Sequence, residues 1–317
     1  MNRSAMLALL GGATTSLAVP AAAQTAPVPL RLGAMAIDAF GEAYYGSDQG
    51  FYQANGIAPQ ITTLGNGATL MAAMIGGDLD VTMTNTVAAA GAFARGVPIQ
   101  MIAPASLYSL RDAADDLMVA KDGPVKSAKD LIGGTIAVSA LGDFSTLGTE
   151  AWLEHNGVKP EQVHFVELKF TEMGAALQRG TVQAAQIAEP AKSAAIAAGQ
   201  IRPFADVYLA VAPEFATIVW IATKAWLAAN ADTAKKLVAA IYTTARWANT
   251  HTDASGDILA RVSKIDRSII AKTQRLYFGT SNQRHYIAPV LTLAARYGIV
   301  QRPVSPDEFS AFPLVGA

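Results

Sequence analysis

The sequence predicts an α/β protein built as two similar lobes, each a parallel sheet covered by helices. Three observations carry this expectation. Short β-patterned runs alternate with helical runs along most of the chain, the rhythm of βαβ units. Two stretches, AAMIGGDLDVTMTNT (Ala72–Thr86) and AALQRGTVQAAQIAE (Ala175–Glu189), align without a gap, each a helix, a glycine and a strand. The 317 residues are 51% hydrophobic and only 15% charged, against roughly 25% in an average soluble domain, which supplies two packed cores.

The first residues set the expected compartment. Arg3 precedes an apolar, small-residue run (Ala5–Val19), and Ala21 and Ala23 fit the small-x-small pattern before a cut. This reads as a signal peptide over residues 1–23, with a mature chain starting near Gln24 in the periplasm. The apolar run is shorter than the roughly 20 residues that span a bilayer. The chain has no cysteine, so disulfides, a lipid-accepting Cys, thiol chemistry and Cys-ligated metals are excluded. A formal net charge of −1 with scattered Lys and Arg gives no case for nucleic acid.

Along the mature chain, LRLGAM (Leu30–Met35) reads as a strand and Glu42–Gly56 as a helix stopped by glycine. APQITTL is the next strand. Gly65-Asn66-Gly67 then opens a helix to Gly77, and DVTMTN (Asp80–Asn85) is a strand. A helix from Thr86 to Gly96 and a strand from Pro98 to Pro104 follow. Ser106–Asp116 breaks the rhythm with polar and charged residues. Then come a strand (LMVAKDG), a helix over Ser127–Gly134 capped by Ser127, and a buried strand (TIAVSA) running into the loop LGDFST. Leu147–Gly157 reads as a helix, Val163–Leu168 as a strand, Glu172–Gly180 as a helix and Val182–Pro190 as a strand. Ile201–Asn230 alternates and then turns helical. From Asp232 the pattern is helical, broken near Thr252–Gly256, Asp266 and Ser281.

In open parallel sheets, ligands sit outside the C-terminal strand ends. That rule selects the candidate residues. In the first lobe they are Asp38, Phe40 and Tyr44 after the first strand, the Asn66, Gly67, Ala68 and Thr69 turn, and Asn85 and Thr86. Asn66 with the amides of Ala68 and Thr69 can hold an oxygen at a helix start; an ordinary tight turn explains the same glycines. In the second lobe they are Ser139, Leu141, Ser145 and Thr146, which an ordinary helix cap also explains, and Glu189. Tyr108 and Arg111 lie where the chain changes lobes, and Arg111 is the best-placed cation for an acid, or else a partner for Asp112 or Asp115. Gly65-Asn66-Gly67 lacks the GK[ST] of a phosphate loop and the third glycine of a dinucleotide fingerprint. The four histidines (155, 164, 251, 285) are dispersed. Asp78 and Asp80 share a strand face without the further oxygen ligands a metal needs, so no metal or cofactor is expected.

In order and spacing, five motifs resemble a known family: DQGFYQANGI (Asp48–Ile57), GATLMAAMIGGDLDV (Gly67–Val81), VKSAKDLIGGTIAVSALG (Val125–Gly142), AALQRGTVQAAQIAEP and TIVWIATKAWLAANADTAKKLV (Thr217–Val238). They are similar to the type II periplasmic solute-binding proteins of the sulfonate/nitrate/taurine kind, over about Leu30–Asn249. The resemblance implies two doubly wound α/β lobes joined by two crossover strands, with the ligand cleft between them. It places lobe one at residues 30–107 plus 220–317 and lobe two at 108–219. It favours Asp80 as a structural residue at a strand start. It further implies a monomeric, non-enzymatic receptor that closes on a small sulfonate, carboxylate or aromatic heterocycle and docks transiently on the membrane permease of an ABC importer. A related fungal branch uses the fold enzymatically in thiamin-pyrimidine synthesis, relying on a Cys-rich segment that has no counterpart here. A binding protein that feeds a signalling receptor is the third reading.

Overall fold

The computed structural model describes residues 26–110, 116–188 and 191–316. The expected signal peptide, Arg111 and Glu189 lie outside the described residues.

The strands are β1 (Val28–Ala34), β2 (Ile57–Thr63), β3 (Val81–Asn85), β4 (Ile99–Pro104), β5 (Ser106–Ser109), β6 (Asp116–Ala120) and β7 (Thr135–Val138). They continue with β8 (His164–Glu167), β9 (Ala184–Ile187), β10 (Ile201–Ala205), β11 (Glu214–Ala216), β12 (Ile218–Thr223) and β13 (Tyr277–Phe278). Two five-stranded sheets form, in the orders β2-β1-β3-β12-β4 and β10-β6-β9-β7-β8. Helices pack around each, giving two doubly wound α/β lobes. Between them lies a three-stranded sheet, β11-β5-β13. Here β5 carries the chain out of the first sheet and β11 brings it back. The two crossovers pair antiparallel, Tyr108 opposite Phe215. A bond from the Thr217 N–H to the Ser106 carbonyl (3.0 Å) and a contact between their hydroxyls (2.9 Å) extend the pair.

The sheets are mixed, where the rhythm of the sequence predicts parallel ones. Strand β12 is antiparallel to β3 and β4, and β6 is antiparallel to β9 and β10. The reason is topological. A strand that enters a sheet from a crossover starts at the cleft and must run away from it, whereas the βα strands run toward it.

The two alignable stretches occupy equivalent places. Helix Gly67–Gly76 leads into β3 beside β1, and helix Phe170–Gln178 leads into β9 beside β7. The shared glycine ends each helix in the left-handed region, Gly77 at φ 87° and Gly180 at φ 72°. A side chain is strained there, which fixes glycine at both positions.

Several local expectations need correction. Glu42–Gly56 is two helices, Gly41–Asp48 and Phe51–Ala54, parted at Gly50 (φ 72°), and β13 interrupts the helical pattern after Asp232. The stretch Ser127–Gly134 holds a single 3-10 turn, Ala128–Leu131. Its entry is held by Asp130, whose carboxylate accepts from the Ser127 N–H (2.8 Å) and the Lys126 N–H (2.9 Å), and Gly133-Gly134 ends it at once. Thr252–Ser263 is one continuous helix, not a break. Gly256 is small because a Cβ there would meet the Arg275 Nη1 at 3.0 Å, so the glycine serves packing.

The main core fills the first lobe and runs through the crossover region. Trp220 on β12 is wholly buried and donates its indole N–H to Glu42 Oε2 (2.7 Å). A smaller core around Met118, Met173, Leu177 and Ile187 lies under the helix Phe170–Gln178 in the second lobe. Among the described residues no helix is long and apolar enough to cross a membrane.

Candidate functional site

The ends of β3 and β9 meet across one cavity of about 160 Å³. The first lobe and the crossovers supply Ala39, Asn85, Leu107, Tyr108, Thr217, Ile218 and Leu276. The second lobe supplies Ser139, Asp143, Phe144, Ser145, Phe170, Gln186, Ala188 and Tyr208. A hollow of about 460 Å³ near Lys121 and Arg179 is larger. It lies at the edge of one lobe, away from the C-terminal ends of the parallel strands, so the smaller cavity is the better ligand site.

Each polar wall residue is placed by a local rule. Asn85 ends β3 and caps helix Thr86–Ala94. Its Oδ1 accepts from the N–H groups of Val87 (2.9 Å) and Ala88 (3.3 Å), which leaves its amide nitrogen as the available donor. Asp143 caps helix Phe144–His155 in the same way, accepting from the N–H groups of Ser145 (2.8 Å) and Thr146 (3.3 Å). It also accepts the hydroxyls of Ser139 (2.6 Å) and Ser145 (2.5 Å). Gly142 at φ 75° makes the turn that brings the carboxylate back onto the helix start. Burial pushes the Asp143 carboxyl above its ordinary value, although the two serine hydroxyls and two amides oppose the shift.

Three rings, Tyr108, Phe144 and Tyr208, build the apolar side, and a fourth, Phe215, packs behind them. Phe215 of β11 stacks on Tyr108 (5.1 Å between centroids, 25°) and on Phe144 (5.4 Å, 25°). Tyr208 meets Tyr108 edge-on at 5.6 Å. Tyr208 fits because Gly148 faces it: a Cβ there would lie 2.5 Å from the ring. The Tyr108 hydroxyl donates to Asp206. Gln186 of β9 is 1% exposed, and its Nε2 has no hydrogen-bond partner among the described residues.

Of the residues singled out in the sequence, the cavity gathers Asn85, Tyr108, Ser139 and Ser145, and Asp143 joins them there. Others stand behind its wall. Asp38 accepts from the Tyr45 hydroxyl (2.7 Å), from Arg275 Nε and Nη2 (both 2.8 Å) and from the Leu276 N–H (3.1 Å). It therefore braces Ala39 and Leu276, which do line the cavity. Thr86 donates its hydroxyl to the Ala216 carbonyl (2.8 Å), tying β3 to the crossover. Thr146 donates to the Ala140 carbonyl (2.8 Å). Phe40 and Tyr44 are buried in the core, and the Tyr44 hydroxyl contacts the Thr63 hydroxyl at 2.8 Å. Asn66 accepts from the Thr69 N–H (2.8 Å) and hydroxyl (2.9 Å), so Asn66, Gly67, Ala68 and Thr69 form a helix start outside the cavity lining. Leu141 is 58% exposed.

Sequence reasoning missed Phe144, Phe170, Gln186, Tyr208 and Phe215. Only Gln186 had a usable signal, since the gapless alignment sets it opposite Met83, a polar residue where an apolar one serves.

Of the two aspartates considered for a metal, Asp80 does structural work. Asp80 accepts from the Arg31 N–H (2.8 Å) and Nη2 (2.6 Å), as befits a residue at a strand start. Burial pushes its carboxyl up, but the bonds and charge of Arg31 outweigh that and hold it low. Among the described residues no group of three or more His, Asp or Glu is placed to hold a metal.

Comparison with known proteins agrees with this geometry. The taurine-binding periplasmic protein of Escherichia coli is 31% identical over 150 residues, 47% of this chain and 44% of that protein, so the match spans less than half of this curated relative. The solved periplasmic aliphatic sulphonate binding protein SsuA of Escherichia coli superposes with a TM-score of 0.75 at 19% identity, over 92% of this chain and 95% of that one. The desulfurization enzyme DSZB shares the fold at a TM-score of 0.65 and 16% identity, over 90% and 96% of the two chains. The family described as NMT1/THI5 like matches residues 39–255. With two α/β lobes, paired crossovers and a cavity at the facing strand ends, the chain has the periplasmic binding protein fold and belongs to the NMT1/THI5-like family.

Proposed function

We propose that this chain is an extracytoplasmic solute-binding protein that captures a small organic ligand by lobe closure and delivers it to an ABC importer. The observation that carries the reading is the cavity lined from both lobes at the ends of β3 and β9, beside the paired crossovers. A ligand touching both walls has higher affinity for the closed state and shifts the population toward it. The ligand class is a sulfonate, a carboxylate or a small aromatic or heterocyclic compound, and the taurine-binding and sulphonate binding proteins named above support the first of these. The signal peptide, cleaved near Ala23, delivers the mature chain to the periplasm, where it works as a monomer beside its permease.

A receptor rather than an enzyme is favoured by the make-up of the cavity. The chain has no cysteine, and none of its histidines lines the cavity, so Ser139 and Ser145 face Asp143 without an imidazole to carry a proton.

The test is a melting-temperature screen of the mature chain against sulfonates, aromatic carboxylates and small heterocycles at millimolar concentration. A hit raises the melting temperature by several degrees. Silence across the panel overturns the reading, and steady consumption of a bound compound turns it into an enzyme.

A further inference from the structure

We infer that Gln186 is the specificity-determining residue of this cavity, reading a hydrogen-bond acceptor oxygen on the ligand; this rests on the receptor reading. Gln186 sits inside β9, with its backbone opposite Leu117 of β6, so the strand ladder does not need its side chain. The side chain is 1% exposed, lines the cavity, and has an enclosed Nε2 without a partner among the described residues. Buried polar groups are nearly always hydrogen-bonded, and an unpaired one costs stability. The same position in the first lobe is Met83, 0% exposed in β3, so the shared design accepts an apolar side chain there. An amide that the fold does not require, without an acceptor among the described residues, is accounted for by a ligand that supplies one.

The surroundings narrow the chemistry. Asn85 enters from the other lobe with its carbonyl oxygen already committed to the Val87 and Ala88 amides, so it too offers a donor. Among the described lining residues the one charged side chain is Asp143, whose oxygens already accept the Ser139 and Ser145 hydroxyls. The lining rings Tyr108, Phe144, Phe170 and Tyr208, the first two stacked on Phe215 behind them, suit a flat body. The ligand class is thus a small planar compound whose carbonyl, carboxylate or sulfonate oxygen is held by neutral carboxamides from both lobes. A site with a buried donor rejects an analogue that lacks the matching acceptor far more strongly than an apolar pocket does.

The experiment compares wild type with Gln186→Met, a swap toward what the first lobe carries. Three probes share a benzene ring: benzenesulfonate and benzamide carry the acceptor, and benzylammonium carries donors only. Calorimetric titration and the ligand-free melting temperature are both read. The expected result is acceptor probes preferred by wild type, their affinity lowered about tenfold or more in Gln186→Met, and benzylammonium unchanged. The ligand-free variant melts about 2 °C higher, because an unpaired buried amide is gone. The stronger of the two acceptor probes tells a sulfonate site from a carboxamide site. Equal loss or no loss for all three probes, or a ligand-free variant that melts lower than wild type, overturns the role of Gln186. If no probe binds wild type, that counts against the receptor reading, and the ligand-free melting comparison alone decides on Gln186.

Discussion

Strands β3 and β9 arrive at the cavity from opposite lobes by the same helix–glycine–strand route, yet they bring different chemistry. The first lobe and crossovers offer Ala39, Leu107, Ile218 and Leu276, with Asn85 and Thr217 as the polar exceptions. The second offers Ser139, Asp143, Ser145 and Gln186 beside Phe144, Phe170, Ala188 and Tyr208. The helix starts differ as well. Gly67 packs close to Thr84, where a Cβ would lie 2.9 Å from the hydroxyl, whereas its aligned counterpart Phe170 lines the cavity. One backbone plan, used twice, thus gives a mostly apolar wall and a mixed wall that carries most of the polar groups beside its own rings. Packing dictates the plan, and the residues at strand ends are free to differ because the strand ladder does not use their side chains.

The most direct way to break this comparison is to remove the acid of the mixed wall. Asp143→Ala is expected to weaken a ligand found in the screen by about tenfold, because Ser139 and Ser145 lose the carboxylate that fixes their hydroxyls at the cavity wall. It should also lower stability by about 1–2 kcal/mol through the lost helix cap. Asp143→Asn keeps the cap and separates the two effects. If calorimetry finds affinity unchanged in both variants, the division of labour between the lobes is wrong.

A second contrast concerns how each lobe hides an acid. Glu42 in the first lobe is wholly buried, its Oε1 is unpaired, and burial outweighs the Trp220 bond in raising its carboxyl well above the ordinary range. Glu150, half-buried in the second lobe, is pushed up to about 7 by burial and by the nearby charges of Glu161 and Glu154. A raised carboxyl binds its proton more tightly in the folded state. The stabilisation is therefore complete below the unfolded value near 4.5 and is lost as pH rises through the folded value. For Glu150 that window runs from about 4.5 to about 7. Melting curves from pH 4 to 9 should show wild type losing stability across it. Glu150→Gln should recover on the order of 2 kcal/mol at pH 8, and Glu42→Gln more. A larger gain from Glu150→Gln would reverse the ranking of the two lobes.

The smallest expected effect lies where the lobes touch outside the cavity. Glu154, on the second lobe's helix Phe144–His155, accepts from Arg296 Nη2 (2.9 Å) and from the Tyr297 hydroxyl (2.7 Å). Arg296 ends helix Ala288–Arg296, which packs on helix Thr86–Ala94 of the first lobe. A partly exposed pair of this kind contributes about 0.2–1 kcal/mol, and the tyrosine bond a similar amount. Because this strap joins the lobes in the arrangement seen here, Glu154→Gln should cost about 3–10-fold in affinity without touching the ligand. X-ray scattering should show a more open ligand-free protein. Identical scattering and affinity would leave closure to the cavity alone.

The sequence by itself determined the element order, the two-lobe plan and the region of the site. Hydrophobic period and glycine punctuation are local signals, and the left-handed Gly77 and Gly180 wrote the same turn twice. It also marked Asn85, Ser139 and Ser145, because they follow strands and start helices. Tertiary structure alone decided the rest. The direction of β12 and β6 depends on where a crossover enters the sheet, and strand periodicity is identical in either direction. Asp38 looked like a ligand group until Arg275, far along the chain, occupied it. The rings of Phe144, Tyr208 and Phe215 meet only because Gly148 leaves room and the crossovers pair. Such contacts join residues distant in sequence, and no local pattern records which distant partner will arrive.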